Sequence, residues 1–188
     1  ITGANGQLGH EMRNALKGNN RFECIFTDVA ELDICNTEAV KQTMANNHID
    51  YIVNCAAYTQ VDKAEDNAEL CKKINTDAVE NLARAAADYG ARMIHISTDY
   101  VFNGRGYRPY TEDMVPDPQS VYGSTKLEGE KILTDICPES IIIRTAWLYS
   151  PYGNNFVKTM LHLGEEREEL SVVADQIGTP TCAADLAQ

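Results

Sequence analysis

The sequence lacks three patterns that would each have assigned it to a class of protein. Its six cysteines are scattered with no C-x-x-C pair, which is typical of a reducing cytosol. Its 16 basic residues face 28 acidic ones, a net charge of −12, which disfavours nucleic acid and anionic membranes as partners. No apolar run approaches a membrane span and no signal peptide is visible. These absences predict a cytoplasmic protein.

Metal-ligand spacing is also absent, since the four histidines are isolated from one another. His95 lies inside an apolar segment, where a packed imidazole is favoured over a metal ligand. The charged run Glu165–Glu169 is most simply a solvated helix end, with a metal or partner site as the minority interpretation. Cys55 follows an apolar run and is expected to be a buried packing residue rather than a nucleophile. The sequence therefore predicts no metal site.

A glycine turn opens the chain, with Gly3, Gly6 and Gly9 at the spacing of a phosphate-binding loop. Such glycines allow a tight turn, a close approach of the backbone to a pyrophosphate, and close packing of helix on strand. A helical pattern follows, then an apolar strand pattern over 22–27 and Asp28, at the position of the carboxylate that binds a ribose hydroxyl in dinucleotide folds. The pattern predicts a dinucleotide site, although the strand before the turn is almost missing.

A second motif pairs Tyr122 with Lys126, four residues later on a predicted helix. At this spacing the two side chains share one helix face, and an ammonium beside a phenol favours the phenolate. Tyr122 is therefore expected to release its proton more easily than a free tyrosine and to act as a general acid or base. The hydroxyl of Thr98, at the end of the strand pattern 93–97, would complete the site.

Strand and helix patterns alternate along the whole chain. This alternation, with the glycine turn first, predicts an α/β fold with a doubly wound parallel sheet of the Rossmann type. We expected one long helix over 68–89, a loop over 102–119 and a last short strand over 170–173. Thr98, Tyr122 and Trp147 all follow strand ends, so they are predicted to meet the dinucleotide at the same edge of the sheet.

The motifs together resemble the extended short-chain dehydrogenase/reductase superfamily, and within it the family of dTDP-4-dehydrorhamnose reductases. The stretches that carry the resemblance run along essentially the whole chain: Gly6-Gln-Leu-Gly9, Val53-Asn-Cys-Ala-Ala-Tyr-Thr59, Val61-Asp-Lys-Ala-Glu65, Ser97-Thr-Asp-Tyr-Val-Phe102, Val121-Tyr-Gly-Ser-Thr-Lys126, Arg144-Thr-Ala-Trp147 and Gly153-Asn-Asn-Phe156. Members of that family are longer at both ends. The resemblance thus implies a dinucleotide-binding domain over 1–150 with a truncated first strand, and the start of a sugar-nucleotide lobe over 151–188.

The resemblance also implies a role for each matching residue. Tyr122 would protonate the C4 carbonyl oxygen of a dTDP-sugar, Lys126 would lower the pKa of that tyrosine and hold the nicotinamide ribose, and Thr98 would hydrogen-bond the reacting oxygen. The sugar would be oriented by Asp99, Tyr100 and Trp147. The pyrophosphate would be lined by Gly6, Gln7 and Leu8, and the adenosine and ribose would be contacted by Asp28, Asp33, Ile34, Ala57, Tyr58 and Thr59.

Several alternatives stay open at this point. The cofactor is NADPH or NADH, with Asp28 favouring NADH because a 2′-phosphate would meet its negative charge. The family resemblance adds a possible homodimer and a possible Mg²⁺. A related sugar-nucleotide epimerase remains an alternative, whereas a dehydratase is disfavoured because Tyr100 stands where those enzymes have a second carboxylate. Another alternative to a reductase is a non-catalytic regulatory subunit of methionine adenosyltransferase.

Overall fold

A three-stranded parallel sheet lies at the centre of the computed structural model, which describes all 188 residues. Its strands are β1 (Tyr51–Asn54), β2 (Arg92–Thr98) and β3 (Ile141–Thr145), in the order β1-β2-β3. In the register, Ile52 lies opposite Met93, and Ile94 lies opposite Ile141. β-Branched residues favour a pleated sheet that is covered on both faces. The predicted α/β fold with a parallel sheet is confirmed.

The first residues of the chain extend this sheet beyond β1. Thr2 bridges Asn54 in parallel, and its N–H donates to the Val53 carbonyl at 3.0 Å. On the other side, the Thr27 N–H donates to the Ile1 carbonyl at 2.9 Å. The order across the sheet is therefore 25–27, 1–2, β1, β2, β3. The direction of winding reverses between residues 1–2 and β1, and ligands of open α/β sheets bind at such a point.

The strand expected over 22–27 is not a regular strand in the structure. Its neighbour in the sheet is Ile1 and Thr2 only, so three ladder bonds form: Ile1 N to Ile25 O, Thr27 N to Ile1 O, and Ala4 N to Thr27 O. The apolar pattern thus placed the segment correctly beside the sheet. A ladder needs a partner of matching length, which this segment does not have.

Eight α-helices surround the sheet: α1 Gln7–Ala15, α2 Thr37–Asn47, α3 Val61–Asp66, α4 Ala68–Lys72, α5 Ala78–Tyr89, α6 Val121–Ile136, α7 Phe156–Glu166 and α8 Ala183–Leu186. The side chain of Asn36 caps α2 by accepting from the Ala39 N–H at 3.1 Å. Gly90 ends α5 with a φ of 72°, the left-handed conformation that glycine adopts without a steric penalty. None of the helices has the length and hydropathy needed to cross a membrane.

The single helix expected over 68–89 is interrupted by a π-helical turn, Lys73–Asp77, between α4 and α5. Asn75 in this turn is 1% exposed, and its side chain binds both the N–H and the carbonyl of Tyr58, at 2.9 and 3.1 Å. A π turn inserts one extra residue and redirects a side chain, often at a functional site. Here it fastens the segment that follows β1.

The main core lies between the sheet and α2, α5 and α6. It includes Val40 and Met44 of α2, Leu82 of α5, Met93 of β2 and Leu133 of α6. Four of the five alanines of α5, all but the exposed Ala87, are fully buried, and their small side chains let this helix pack closely on its neighbours. This packing fixes the end of β2 beside the start of α6.

The prediction of a strand over 170–173 is wrong. Residues 167–180 contain no helix or strand, and the side chains of Val172 and Val173 are 53% and 66% exposed. β-Branched residues favour a strand only where they find a partner and a surface to cover. The two short strands in this part of the chain are β4 (Leu148–Tyr149) and β5 (Thr181–Cys182), which pair in parallel.

Candidate active site

A crevice of about 1200 Å³ runs along the carboxyl ends of the strands. Its walls include the glycine turn at one end, the residues after β1 in the middle, and the end of β2 with the start of α6 at the other. Small-molecule pockets are usually about 300–1,000 Å³, so this crevice has room for more than one small ligand.

The structure brings together all but one of the residues that the sequence singled out. Those that line the crevice are Gly3, Gly6, Gln7, Leu8, Gly9, Asp28, Asp33, Ile34, Ala57, Thr59, Thr98, Asp99, Tyr100, Tyr122, Lys126 and Trp147. Tyr58 is the exception, because Asn75 holds its backbone and its ring packs against Ala64, Cys71 and Tyr122. Tyr58 therefore supports the wall beneath Tyr122 rather than forming its surface.

The glycine turn approaches the residues after β1 too closely for any side chain. Gly3 has a φ of 62°, and a Cβ on it would lie 2.6 Å from the Ala56 nitrogen. Gly6 caps α1 without a side-chain hydrogen bond, so the first N–H groups of the helix, on Gln7 and Leu8, have no capping partner. Free N–H groups at a helix N-terminus form an anion-binding site.

Asp28 stands across the turn from these groups and is held by backbone donors. One carboxylate oxygen accepts from the Asn5 N–H at 2.8 Å, and the other accepts from the Val29 N–H at 2.9 Å. The carboxylate is thus fixed against the crevice wall. Its negative charge faces the region in which the ribose of a dinucleotide would lie.

Tyr122 is buried, with 9% of its surface exposed, and its ring meets that of Tyr100 edge-on at 5.5 Å. Burial raises the pKa of Tyr122 to about 12, and the neighbouring Thr98 hydroxyl opposes that shift. The sequence predicts a pKa below that of a free tyrosine, and the structure does not agree with this prediction. The reason is that a buried phenolate loses its hydration, while Nζ of Lys126 lies against the Ile96 carbonyl oxygen and Nε2 of His95.

The side chain of Lys126 is 1% exposed and extends along α6 toward β2. Its Nζ lies 2.7 Å from the Ile96 carbonyl oxygen and 3.1 Å from Nε2 of His95. Burial lowers the pKa of Lys126 to about 8. The lysine is therefore poised to gain or lose a proton near physiological pH.

Thr98 ends β2, and Asp99 begins the short 3₁₀ turn Asp99–Val101 that follows it. The Thr98 hydroxyl accepts from the Tyr100 N–H at 3.2 Å and lies 3.2 Å from an Asp99 carboxylate oxygen. Burial raises the pKa of Asp99, against the effect of that hydroxyl. A hydroxyl and a carboxyl group thus stand beside the phenol of Tyr122 at one end of the crevice.

Trp147 follows β3 and has a φ of 49°, which is unusual for a bulky residue and marks local strain. Its ring meets Phe156 edge-on at 6.0 Å, and it is 39% exposed. A strained aromatic residue at the mouth of a crevice provides an apolar surface for a ligand ring. The sequence placed Trp147 here, but it gave no sign of the strained backbone.

Sequence reasoning missed the importance of Asn54 and His95, which are both 0% exposed. Asn54 links Thr2 to His95, and His95 links Asn54 to Lys126. The prediction that His95 is a packed imidazole agrees with its burial. Strand alternation could place this ring on a buried face, but it could not show that Lys126 would reach it.

Cys55 is half-buried and lines the crevice rather than the core. Burial raises the pKa of Cys55 to about 11, which leaves it as a thiol and a poor nucleophile. No group of three or more His, Cys, Asp or Glu side chains is placed to hold a metal ion. The site therefore has the parts for proton transfer next to an anion-binding turn.

Comparison with known proteins gives one consistent match. The family model described as RmlD substrate binding domain matches residues 1–188. The dTDP-4-dehydrorhamnose reductase of Escherichia coli (strain K12) is 48% identical over 191 residues, which cover 100% of this chain and 63% of that protein.

Solved structures agree with this match. The crystal structure of a dTDP-4-dehydrorhamnose reductase from Clostridium acetobutylicum ATCC 824 has 52% identity and a TM-score of 0.96, covering 100% of this chain and 66% of that one. The dTDP-4-dehydrorhamnose reductase from Bacillus anthracis str. Ames, in complex with NADP, has 46% identity, a TM-score of 0.96 and the same coverage. The chain thus spans a little under two thirds of the length of these relatives.

Proposed function

The chain belongs to the RmlD substrate binding domain family, and from that membership we propose that it carries the cofactor site and proton donor of an NAD(P)H-dependent dTDP-4-dehydrorhamnose reductase. The reaction would reduce the C4 keto group of dTDP-4-dehydro-L-rhamnose to give dTDP-L-rhamnose. The observation that carries the proposal is that Tyr122, Lys126 and Thr98 share one crevice with the glycine turn. The names of the relatives and the NADP in the Bacillus anthracis structure support it.

The residues at the glycine end fit a dinucleotide. Gly3 lets the turn pack against the Ala56 backbone, which a Cβ would overlap, and the uncapped start of α1 offers N–H donors and a positive dipole end to phosphate. Asp28 would bind ribose hydroxyls. NADPH or NADH bound here would supply the hydride that reduces the keto carbon.

The residues at the other end of the crevice would donate the proton and stabilise the groups between which it moves. Tyr122, kept protonated by its burial, would donate its hydroxyl proton to the oxygen that becomes the C4 alcohol. Thr98 would donate a hydrogen bond to the same oxygen and hold it in place. In its ammonium form, Lys126 would stabilise the phenolate that Tyr122 becomes.

The sugar would lie between the end of β2 and the segment after β3. Asp99 and Tyr100 border it on one side and Trp147 on the other. We propose that residues 151–188 begin the part of the protein that binds the sugar nucleotide. In support, Asn155 donates to the Gln7 side chain at 2.9 Å, and the Tyr152 ring stacks on His10 at 4.5 Å, which ties this segment to α1.

The test is to incubate the protein with NADPH and dTDP-4-dehydro-L-rhamnose and follow the absorbance of the reduced cofactor. We expect the absorbance to fall and dTDP-L-rhamnose to form in equal amount, as measured by mass spectrometry. An epimerase would change the sugar without net oxidation of NADPH. Absence of cofactor oxidation by protein that binds NADPH would contradict the reductase proposal.

A further inference from the structure

A buried chain of hydrogen bonds leads from the crevice wall to Lys126. The Ala56 N–H and the Thr2 hydroxyl both meet Oδ1 of Asn54, at 3.2 and 2.6 Å. Nδ2 of Asn54 lies 3.0 Å from Nδ1 of His95, and Nε2 of His95 lies 3.1 Å from Nζ of Lys126. Asn54, His95 and Lys126 are each no more than 1% exposed, so no solvent competes for these contacts.

The hydrogen bond from Ala56 to Asn54 sets the donor-to-acceptor direction of all the hydrogen bonds that follow. A backbone N–H can only donate, so the atom of Asn54 that faces Ala56 must be the amide oxygen. The amide nitrogen of Asn54 then faces His95 and donates to Nδ1. A neutral imidazole carries one proton, and with Nδ1 as the acceptor that proton must lie on Nε2.

The proton on Nε2 decides the state of Lys126. An ammonium group has three donors and no lone pair, so it would place donor against donor at 3.1 Å from Nε2. A neutral amine accepts from Nε2–H and still donates to the Ile96 carbonyl oxygen at 2.7 Å. Every hydrogen bond in the chain is then satisfied, as buried polar groups require.

We propose that His95 is a positioning residue that, oriented by Asn54, holds Lys126 as a neutral amine in the cofactor-free site and so sets the pH at which this lysine takes up its proton. The contribution of that control to catalysis rests on the function proposed above. The ammonium form, which would stabilise a phenolate at Tyr122, is then a state that the site reaches by gaining a proton.

The charged groups around Lys126 are consistent with this assignment. Glu130 and Cys71 favour the ammonium, yet burial outweighs them and the pKa of Lys126 falls. Glu130 itself is held by Arg144, at 3.0 and 2.6 Å, so its charge is shared. Burial, with Lys126 as a second cause, also lowers the pKa of His95 well below 6.5. A neutral ring is the form that the hydrogen-bond chain requires.

The direct test is the position of the proton on His95, measured on ¹⁵N-histidine-labelled protein without cofactor. The nitrogen chemical shifts distinguish the two neutral tautomers. We expect the Nε2–H tautomer at a pH above 8. The signal of His95 is the one missing from His95→Gln, or the one that persists when His10, His48 and His162 are replaced, so the assignment does not depend on one variant. An Nδ1–H tautomer or a doubly protonated ring would overturn the proposal.

Asn54→Asp nearly preserves the shape of the side chain but reverses the direction of its hydrogen bond with His95. One carboxylate oxygen still accepts from Ala56 and Thr2, while the other accepts from His95, which would move the ring proton to Nδ1. Nε2 then accepts, and Lys126 can bind it as an ammonium. We expect the pKa of Lys126 to rise by about one unit or more, as followed by the ¹³Cε signal that Lys126→Met removes.

Asn54→Asp also introduces a negative charge, and its electrostatic effect can be distinguished from the proposed one. Charge alone would raise the pKa of Lys126 without moving the proton of the His95 ring from Nε2 to Nδ1. A higher pKa with the Nε2–H tautomer retained would therefore overturn the proposal, as would an unchanged pKa. Both measurements are made without turnover. A failed reductase assay and a failed tautomer prediction are consequently distinct results.

Discussion

Burial keeps Tyr122 protonated, which is the state that its proposed role as proton donor requires. The sequence motif predicts an ammonium that makes the phenol more acidic, whereas the structure raises the pKa of Tyr122 to about 12. The two views concern different states of the site. A proton donor for a reduction has to be protonated at rest, and the lysine can act once a phenolate forms.

Tyr122→Phe removes the hydroxyl that we propose as the proton donor and keeps the aromatic ring. The ring still packs against Ala64 and Cys71 and meets Tyr100, so we expect folding and NADPH binding to be retained. Losing a general acid costs about 10²–10⁴ in rate. The measurement is kcat for NADPH oxidation beside the Kd for NADPH. A variant with wild-type kcat would remove Tyr122 from the mechanism.

Asp28 carries a negative charge at the end of the crevice where we propose that the ribose binds, so we expect it to influence the preference between NADPH and NADH. Asp28→Ala removes a carboxylate that repels a 2′-phosphate, so we expect the ratio of kcat/KM for NADPH to that for NADH to rise. The same change frees the Asn5 and Val29 N–H groups, which can then bind phosphate oxygens. An unchanged ratio would show that Asp28 does not face the ribose.

The comparison variant is Asp33→Ala, which removes a second acidic residue of the crevice wall that is also expected near the adenosine and ribose. Asp33 is exposed and its carboxylate accepts from the Cys35 N–H at 2.9 Å. If both variants change the ratio equally, the cofactor preference would not be specific to Asp28.

At the scale of elements, the position of α6 depends on a glycine between its two functional residues. A Cβ on Gly123 would overlap the Tyr100 carbonyl oxygen, so this glycine lets α6 lie directly against the 3₁₀ turn that carries Asp99 and Tyr100. No other residue allows this approach. The distance between Tyr122 and the Thr98 end of β2 is therefore set by backbone contact.

Gly123→Ala tests this contact. Alanine gains about 1 kcal/mol of helix propensity over glycine, but forcing atoms into a packed contact costs about 1–3 kcal/mol. We expect a net loss of unfolding free energy in urea and a lower kcat, because α6 must shift away from the turn. Gly164→Ala in α7 is the control, since a Cβ there meets nothing within 4 Å. It should stabilise the protein by up to about 1 kcal/mol.

Elements with local signals could be predicted, and those that depend on distant contacts could not. Asn36 and Gly90 mark helix ends through their own local chemistry, since Asn36 accepts from the Ala39 N–H and Gly90 adopts the left-handed conformation. The π turn at 73–77 depends on Asn75 finding the backbone of Tyr58, which no periodicity reveals. The polar run that forms α3 is helical because it packs against α6, and the apolar run at 170–173 has no partner strand.

In the candidate site, too, the features with local sequence signals could be predicted, and those that depend on distant contacts could not. The residues that line the crevice carry side chains whose chemistry is visible in the motifs, and strand ends place them at one edge. The network behind them is assembled from residues 2, 54, 95 and 126, far apart in the chain. Only the parallel register of β1 and β2, with Asn54 opposite His95, brings it together.

At the scale of the whole molecule, this buried network makes stability depend on pH. The pKa of His95 lies well below 6.5 in the folded protein because burial disfavours the charged ring. Below pH 6.5 the unfolded chain binds a proton at this residue and the folded chain does not. Stability is therefore fully present above pH 6.5 and is lost as the pH falls, at up to about 1.4 kcal/mol per pH unit.

We expect His95 to account for a fall of about 1 kcal/mol in unfolding free energy between pH 7 and pH 5.5, measured by urea denaturation. His95→Gln should be less stable at pH 7 but should lose less on acidification, because it has no proton to gain. His162→Gln, on the exposed surface of α7, should keep the wild-type slope. Carboxylates that titrate at lower pH contribute equally to all three proteins. The difference in slope between the wild type and His95→Gln therefore measures the contribution of the buried His95 ring. Parallel slopes for the wild type and His95→Gln would contradict a lowered pKa of His95 in the folded protein.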